Sequence, residues 1–235
     1  MMQRAMTIPL VALLMSSMLL AASSSAEQDE GDDRWRYMIG LLEIPSALGI
    51  FMSENSGQTP PKRAIKIYSA PTAKSSVVAT VGDPEKLIQA KLSSEELGAL
   101  VYKKRRGWYL IGLDDDKRTK GWVSPIDAGR FIPVDVLFIS RLTYLNQHWD
   151  KRVWSLPRRG SASRRLRLKG EGNPLSYDVN ITGTRRVRGE LWLKVEVLGP
   201  GRCRGMNELA VIARGWTPAY TRKGELIAWY YSGGC

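Results

Sequence analysis

The sequence is poor in the residues that most enzymes and metal sites use. Among its 235 residues are two cysteines, one histidine and three phenylalanines. These cannot supply a zinc site of the usual His and Cys types. A Ser-His-Asp or Cys-His enzyme would have to use His148, which has no Cys or Ser nucleophile near it in the sequence. We therefore predict a protein that is not an enzyme and holds no metal or cofactor.

The first 26 residues have the pattern of a secretory signal peptide. Arg4 provides the positive start, residues 8–20 form a short apolar run, and Ser24 and Ala26 occupy the small-residue positions of a cleavage site. The run is shorter than the roughly 20 residues that a membrane span needs, which disfavours the alternative of an uncleaved anchor. We expect cleavage after Ala26 and export to the periplasm or the extracellular space.

Export changes the interpretation of the two cysteines. An oxidising compartment preserves disulfides, so a bridge between Cys203 and Cys235 is expected. It would tie the C-terminus to the body of the protein and contribute about 3–4 kcal/mol in the chain-entropy treatment. The alternatives are a buried free Cys203 with a frayed C-terminus, and an intermolecular bridge.

Positive charge is concentrated in the last third of the chain. Residues 27–150 carry 17 basic and 17 acidic side chains, whereas residues 151–235 carry 17 basic and 6 acidic ones, a net charge of +11. Such a field attracts anionic polymers and surfaces. For an exported protein these are envelope polymers and anionic lipid head groups, not nucleic acid. The alternative is that the arginines are ordinary solvated surface residues.

Three aromatic landmarks occur twice in the same order. Their spacings are 40 and 14 residues in the first stretch, and 38 and 24 in the second, where the extra ten residues contain Cys203. Such self-similarity predicts two tandem copies of one small domain. The landmarks are Tyr68, Trp108 and Trp122 in the first copy and Trp154, Trp192 and Trp216 in the second.

Both copies have the pattern of short β-strands separated by turns. Residues 191–197 alternate strictly, with Leu191 and Leu193 on one face and Trp192 on the other, which predicts a half-buried strand. Residues 86–98 leave two interpretations open, a short helix from Ser93 or a long loop with a strand. The three aspartates at 114–116 lack an EF-hand spacing and are read as a solvated turn.

Several motifs resemble those of bacterial SH3 (Src-homology 3-like) domains. They are IYSAPTAKSSVVATV, RRGWYLIGL and KGWVSP in the first copy, and VWSLP, ELWLKVEV and RGWTP in the second. The resemblance covers residues 62–125 well and 151–235 less well, because the second copy has the Cys203 insertion and an aromatic tail at 226–231. It implies one small five-stranded barrel per copy, used to bind cell-wall glycopeptide or protein, without catalysis.

We thus predict a mainly β protein of two small SH3-like β-barrels in tandem, with short flanking helical or extended segments. Residues 34–51 should add a strand or a helix, and residues 141–145 should pair with 152–154 in a hairpin whose turn holds His148. The connector is too apolar for a free tether, so the barrels should be in firm contact. The expected bounds are a signal peptide at 1–26, an N-terminal segment and linker at 27–61, a first domain at 62–130, a connector at 131–150 and a basic second domain at 151–235.

The alternation of the strand predicts an outward Trp192, and the repeat predicts the same of Trp108. Outward aromatic side chains could form the floor for a sugar face or an extended peptide. The alternative is that each packs under a loop or against the other copy. The candidate ligand-binding residues are Trp108, Trp122, Trp192 and Trp216, together with the basic cluster Arg185, Arg186 and Arg188.

The favoured function is that of an exported, non-enzymatic binding protein. The neutral first copy would bind protein or stem peptide, and the basic second copy an anionic envelope polymer, with peripheral contact to an anionic membrane surface as a further expectation. One alternative is a structural scaffold or partner subunit of an envelope complex. Another is an accessory to, or degenerate form of, a cell-wall hydrolase, although the sequence leaves no stretch for a catalytic domain.

Overall fold

A computed structural model describes seven stretches of the chain, all within one compact unit, Asp33–Cys235. The predicted signal peptide, the Cys203–Cys235 disulfide, the triple-aspartate turn and the helix from Ser93 lie outside the described residues. The described stretches are residues 35–43, 64–82, 87–91, 97–113, 119–167, 177–198 and 210–231.

Strands are the main regular structure of the described chain, which confirms the mainly β prediction. One short helix, α1 (Val134–Leu137), follows the last strand of the first half. No helix in these stretches has the length and apolar character needed to cross a bilayer. The strands of the first half are β1 (Gly40–Leu42), β2 (Ile65–Tyr68), β3 (Val77–Val81), β4 (Gln89–Lys91), β5 (Leu97–Arg105), β6 (Trp108–Gly112), β7 (Lys120–Val123) and β8 (Phe131–Pro133). Those of the second half are β9 (Thr143–Leu145), β10 (Arg152–Trp154), β11 (Ser163–Arg165), β12 (Tyr177–Val187), β13 (Glu190–Leu198), β14 (Val211–Pro218) and β15 (Ala228–Tyr230).

Each half builds an antiparallel sheet, and the two sheets have the same strand order. The first runs β3-β2-β7-β6-β5-β1-β8, with β4 added beside β5, and the second runs β11-β10-β14-β13-β12-β9-β15. Apart from β4, each strand of one sheet thus has a counterpart in the other, as a duplication predicts. Within the described residues both sheets are open. The mainly β prediction is therefore confirmed, but the closed barrels that the resemblance implies are not seen in this part of the chain.

The aromatic landmarks occupy equivalent places in the two sheets. Trp122 on β7 is the register partner of Tyr68 on β2, and Trp216 on β14 is the register partner of Trp154 on β10. The long hairpins β5–β6 and β12–β13 also contain a bulge at the corresponding position. The repeat inferred from spacing therefore corresponds to a repeat of register.

The Gly-Trp landmark has a steric cause. A Cβ at Gly121 would overlap the Ile67 side chain on β2. A Cβ at Gly215 would lie 2.8 Å from the carbonyl oxygen of Trp154 and 3.1 Å from Cβ of Val153 on β10. Glycine is therefore what allows β7 and β14 to approach the neighbouring strand at the position before each tryptophan.

The two halves share a hydrophobic core. Alternate residues of β1 and β5 point to opposite faces of the first sheet. Side chains on one face pack in a hydrophobic cluster formed by the first half alone. Side chains on the other face pack in a cluster shared with the second half. The hydroxyl of Tyr220 donates to the Met38 carbonyl oxygen at 2.5 Å, and that of Tyr230 to the Lys91 carbonyl oxygen at 2.5 Å. The shared cluster includes Met38, Leu41 and Leu100 from the first half, Leu137 and Phe138 from the connector, and Leu193, Val195 and Tyr230 from the second. This matches the firm contact that the apolar connector predicted.

Two expectations about the flanking segments have different outcomes. The segment at 34–51 contributes a strand, β1, which pairs with β5 and β8. The predicted hairpin of residues 141–145 with 152–154 is wrong, because β9 pairs with β12 and β15 instead. The intervening segment contains Trp149, whose buried side chain packs in the shared core. In the ambiguous region 86–98, residues 89–91 form the strand β4 and residues 97–98 begin the strand β5.

Candidate functional site

Each sheet carries an edge-to-face aromatic pair formed by two of the landmarks. In the first sheet, the rings of Tyr68 and Trp108 have centroids 5.3 Å apart and planes at 86°. In the second, Trp154 and Trp192 have centroids 5.5 Å apart and planes at 86°. The predicted site tryptophans thus lie in equivalent positions, in the perpendicular geometry that aromatic rings favour.

The prediction that Trp192 faces solvent is wrong, because its side chain is 0% exposed. The alternation itself is as expected, since Trp192 lies on the face of β13 opposite Leu191 and Leu193. That face is covered by Trp154, which stands where the smaller Tyr68 stands in the first sheet. Sequence alternation indicates which face a residue is on, but it does not indicate whether another side chain covers that face.

The other predicted site residues differ in exposure. Trp122 is also buried, at 8% exposed, whereas Trp108 and Trp216 are half-buried. A ligand could touch the last two but could not rest on Trp122 or Trp192. The three arginines Arg185, Arg186 and Arg188 are exposed at the tip of the β12–β13 hairpin, where Arg186 Nε lies 3.7 Å from Oδ2 of Asp135.

Sequence reasoning missed a groove of about 500 Å³ in the second half. In the first sheet, β2 and β7 are paired at both Ile67↔Val123 and Tyr68↔Trp122. In the second sheet, β10 and β14 are paired only at Trp154↔Trp216, and the β10–β14 groove lies beside this shortened pairing. Its lining residues are His148, Trp149, Asp150, Arg152, Trp154, Arg159, Gly160, Thr217, Pro218, Tyr220, Thr221, Arg222 and Ile227.

Positive charge predominates on the walls of the β10–β14 groove. Arg159 is held by Glu190 at 2.8 Å, and Arg152 Nε lies 4.0 Å from Oδ2 of Asp150. The exposed Arg222 makes no ion pair with any described residue. Because guanidinium groups suit carboxylate and phosphate geometry, this lining favours an anionic group.

The groove also has an unsatisfied hydroxyl in its lining. Thr217 is 0% exposed, and its Oγ1 has no hydrogen-bond partner among the described residues. A buried polar group without a partner is costly to the fold, so such a group calls for an explanation. Because water cannot reach this oxygen, a ligand could form the missing hydrogen bond only after the lining of the groove opens locally. Thr217 is the counterpart of Val123 in the first sheet, as their register partners Leu193 and Tyr109 show.

His148 lies in the wall of the groove rather than beside a nucleophile. Its Nδ1 is 3.8 Å from Oε2 of Glu225, which also accepts a hydrogen bond of 2.8 Å from the Thr221 hydroxyl. Among the described residues, no group of three or more His, Cys, Asp or Glu side chains could hold a metal. The arrangement is suited to hold and orient a ligand.

Comparison of the chain with family models, with curated proteins and with solved structures finds no match.

Proposed function

We propose that the protein is an exported, non-enzymatic binding protein made of two SH3-like units, and that its second unit binds an anionic cell-wall glycopeptide. The β10–β14 groove is the observation that carries the proposal. It combines guanidinium groups with aromatic and aliphatic walls and a buried hydroxyl that lacks a partner. The signal-peptide pattern supports export, the sequence motifs support the SH3-like relationship, and the repeated strand order supports two related units.

The chemistry of a glycopeptide matches the lining of the groove. Its stem-peptide carboxylates would pair with Arg222 and Arg152, because charge-assisted bonds to guanidinium are among the stronger polar contacts. Its sugar rings present apolar faces that stack on aromatic side chains, and the half-buried ring of Tyr220 supplies such a surface. With a local opening of the lining, a sugar hydroxyl or amide would give Thr217 Oγ1 its missing hydrogen bond.

Calorimetric titration with a soluble disaccharide-peptide fragment of peptidoglycan tests this proposal. Arg222→Gln should weaken binding roughly tenfold or more, the scale of a hydrogen bond to a charged group. Arg105→Gln is the matched control, since it removes the same charge from an exposed position on β5 outside the groove. Equal loss in both variants, or no binding by the unmodified protein, would contradict the assignment.

The same titration separates binding from hydrolysis. A binding protein leaves the fragment intact during prolonged incubation, as judged by mass spectrometry. Cleavage products that disappear in His148→Ala would instead support the hydrolase alternative, since His148 lies in the groove wall.

A second candidate function is that of a partner subunit in an envelope complex, and the edge strand β3 favours it. Val77 and Val78 on β3 are about half exposed, and an unguarded apolar edge can accept an added strand. The counterpart edge β11 reads Ser-Arg-Arg and is fully exposed. Co-purification of a stoichiometric protein that is lost in Val78→Lys would support this candidate.

A further inference from the structure

The two long hairpins end in the same kind of turn. Arg106 and Gly107 have φ angles of 49° and 82°, and Arg188 and Gly189 have φ angles of 51° and 83°. Two consecutive residues with positive φ are typical of the type I′ turns that close two-residue hairpins. Each sheet therefore projects a tight, well-defined tip with an arginine at its apex.

The first tip combines a basic cluster with an exposed aliphatic side chain. Residues 103–106, Lys-Lys-Arg-Arg, are all exposed. Pro125 lies against the turn, because a Cβ on Gly107 would be 3.2 Å from its Cγ. The next residue, Ile126, is 82% exposed. It lies beside the basic tip because its neighbour Pro125 packs against the turn.

The second tip has the same combination. Arg185, Arg186 and Arg188 are exposed, and Arg186 reaches Asp135 at 3.7 Å. The residue after Asp135 is Val136, whose side chain is 57% exposed on the helix α1. Water-exposed aliphatic groups beside arginines thus occur at both tips.

One segment of chain passes both tips. Lys104 Nζ lies 5.3 Å from the centroid of the Phe131 ring, and Arg186 lies next to Asp135. Phe131 and Asp135 are four residues apart, so their Cα atoms are at most about 14 Å apart. Residues 125–136 therefore link the two basic clusters, and none of the residues involved lines the β10–β14 groove.

We propose that this tip surface, made of residues 103–106, Ile126, Val136 and the arginines at 185–188, docks on an anionic lipid bilayer. The basic side chains would contact the anionic head groups, while Ile126 and Val136 would enter the acyl boundary. A soluble polyanion would engage the charges but would leave the aliphatic side chains in water. The exposure of Ile126 is therefore what favours a bilayer as the occupant.

Co-sedimentation of the purified protein with vesicles tests the proposal. Binding should be strong to phosphatidylcholine vesicles containing roughly a third phosphatidylglycerol, weak to pure phosphatidylcholine, and reduced by salt. Lys103→Gln with Arg105→Gln should weaken partitioning by roughly fivefold per charge. Ile126→Ser should weaken it severalfold with no change in charge. All variants carry the same N-terminal segment, so their differences report only the substituted residues.

Two outcomes would overturn the proposal. Arg164→Gln with Arg165→Gln removes the same charge from the edge strand β11, away from the tips; an equal loss there would mean that net charge alone drives binding. Unchanged vesicle binding in Ile126→Ser, with loss in the lysine–arginine variant, would indicate a polyanion site in place of a bilayer surface. Glycopeptide affinity should be unaffected by either tip variant, which keeps this test separate from that of the groove.

Discussion

The two halves have one strand order but present different surfaces. In the first sheet β2 and β7 pair at two positions and the edge strand β3 exposes valines. In the second sheet β10 and β14 pair at one position beside a groove, and the edge strand β11 carries arginines. The shared features are glycines and buried aromatic residues that fix how strands approach. The differences lie at a few positions beside β10 and at the edges, where substitution changes the surface without changing the sheet.

Trp192 and Trp108 give the sharpest test of how far the halves have diverged. Trp192→Ala should lower the free energy of unfolding by about 3–5 kcal/mol, because it removes a fully buried aromatic side chain. Trp108→Ala should cost clearly less, because its half-buried ring has fewer neighbours to lose. Urea denaturation monitored by circular dichroism measures both; equal losses would mean that the two aromatic pairs are energetically alike.

The glycines before the landmark tryptophans should be alike in tolerating no side chain. Gly215→Ala should destabilise the fold by about 2–3 kcal/mol, since the new methyl group meets the backbone oxygen of Trp154. Gly121→Ala places its methyl group on Cγ2 of the fully buried, β-branched Ile67, so the loss should be about as large, 2–3 kcal/mol. Thermal and urea unfolding of the two variants measure both losses, and a variant as stable as the unmodified protein at either position would contradict the steric account.

Thr217→Val gives the second sheet the residue that the first sheet has at the equivalent position, Val123. It removes a buried hydroxyl without a described partner, so the free energy of unfolding should rise by about 1 kcal/mol. The affinity for the peptidoglycan fragment should fall in the same variant. Lower stability with unchanged affinity would indicate that Thr217 already has a partner in the fold and that the ligand does not use its hydroxyl.

The sequence predicts the mainly β class and the equivalent landmark positions because those depend on local alternation and spacing. It does not predict the burial of Trp192, since cover from Trp154 comes from a strand 38 residues away. The β10–β14 groove was missed for a similar reason. It depends on where two strands stop pairing, and its residues are distributed from His148 to Ile227 with no compact motif. The strand β9 was assigned to the wrong partner because alternation indicates a strand and leaves its neighbours open.

The smallest effect concerns the contact between the halves. Burial raises the pKa of Tyr230 to about 12, above the ordinary value of 10, and its hydroxyl donates to the Lys91 carbonyl oxygen. Because the folded pKa is the higher one, this tyrosine contributes stability fully below pH 10 and loses it as the pH rises from 10 toward 12.

Tyr230→Phe should cost about 0.5 kcal/mol at neutral pH, since Lys91 is exposed and water can replace the donor. It should also flatten the decline above pH 10, while burial of Tyr220, which likewise raises its pKa, maintains part of that decline. Urea unfolding at pH 8, 10 and 11 measures both slopes. An unchanged slope would mean that Tyr230 ionises as readily in the folded protein as in the unfolded chain, and that the two halves meet less closely at this point than the hydrogen bond implies.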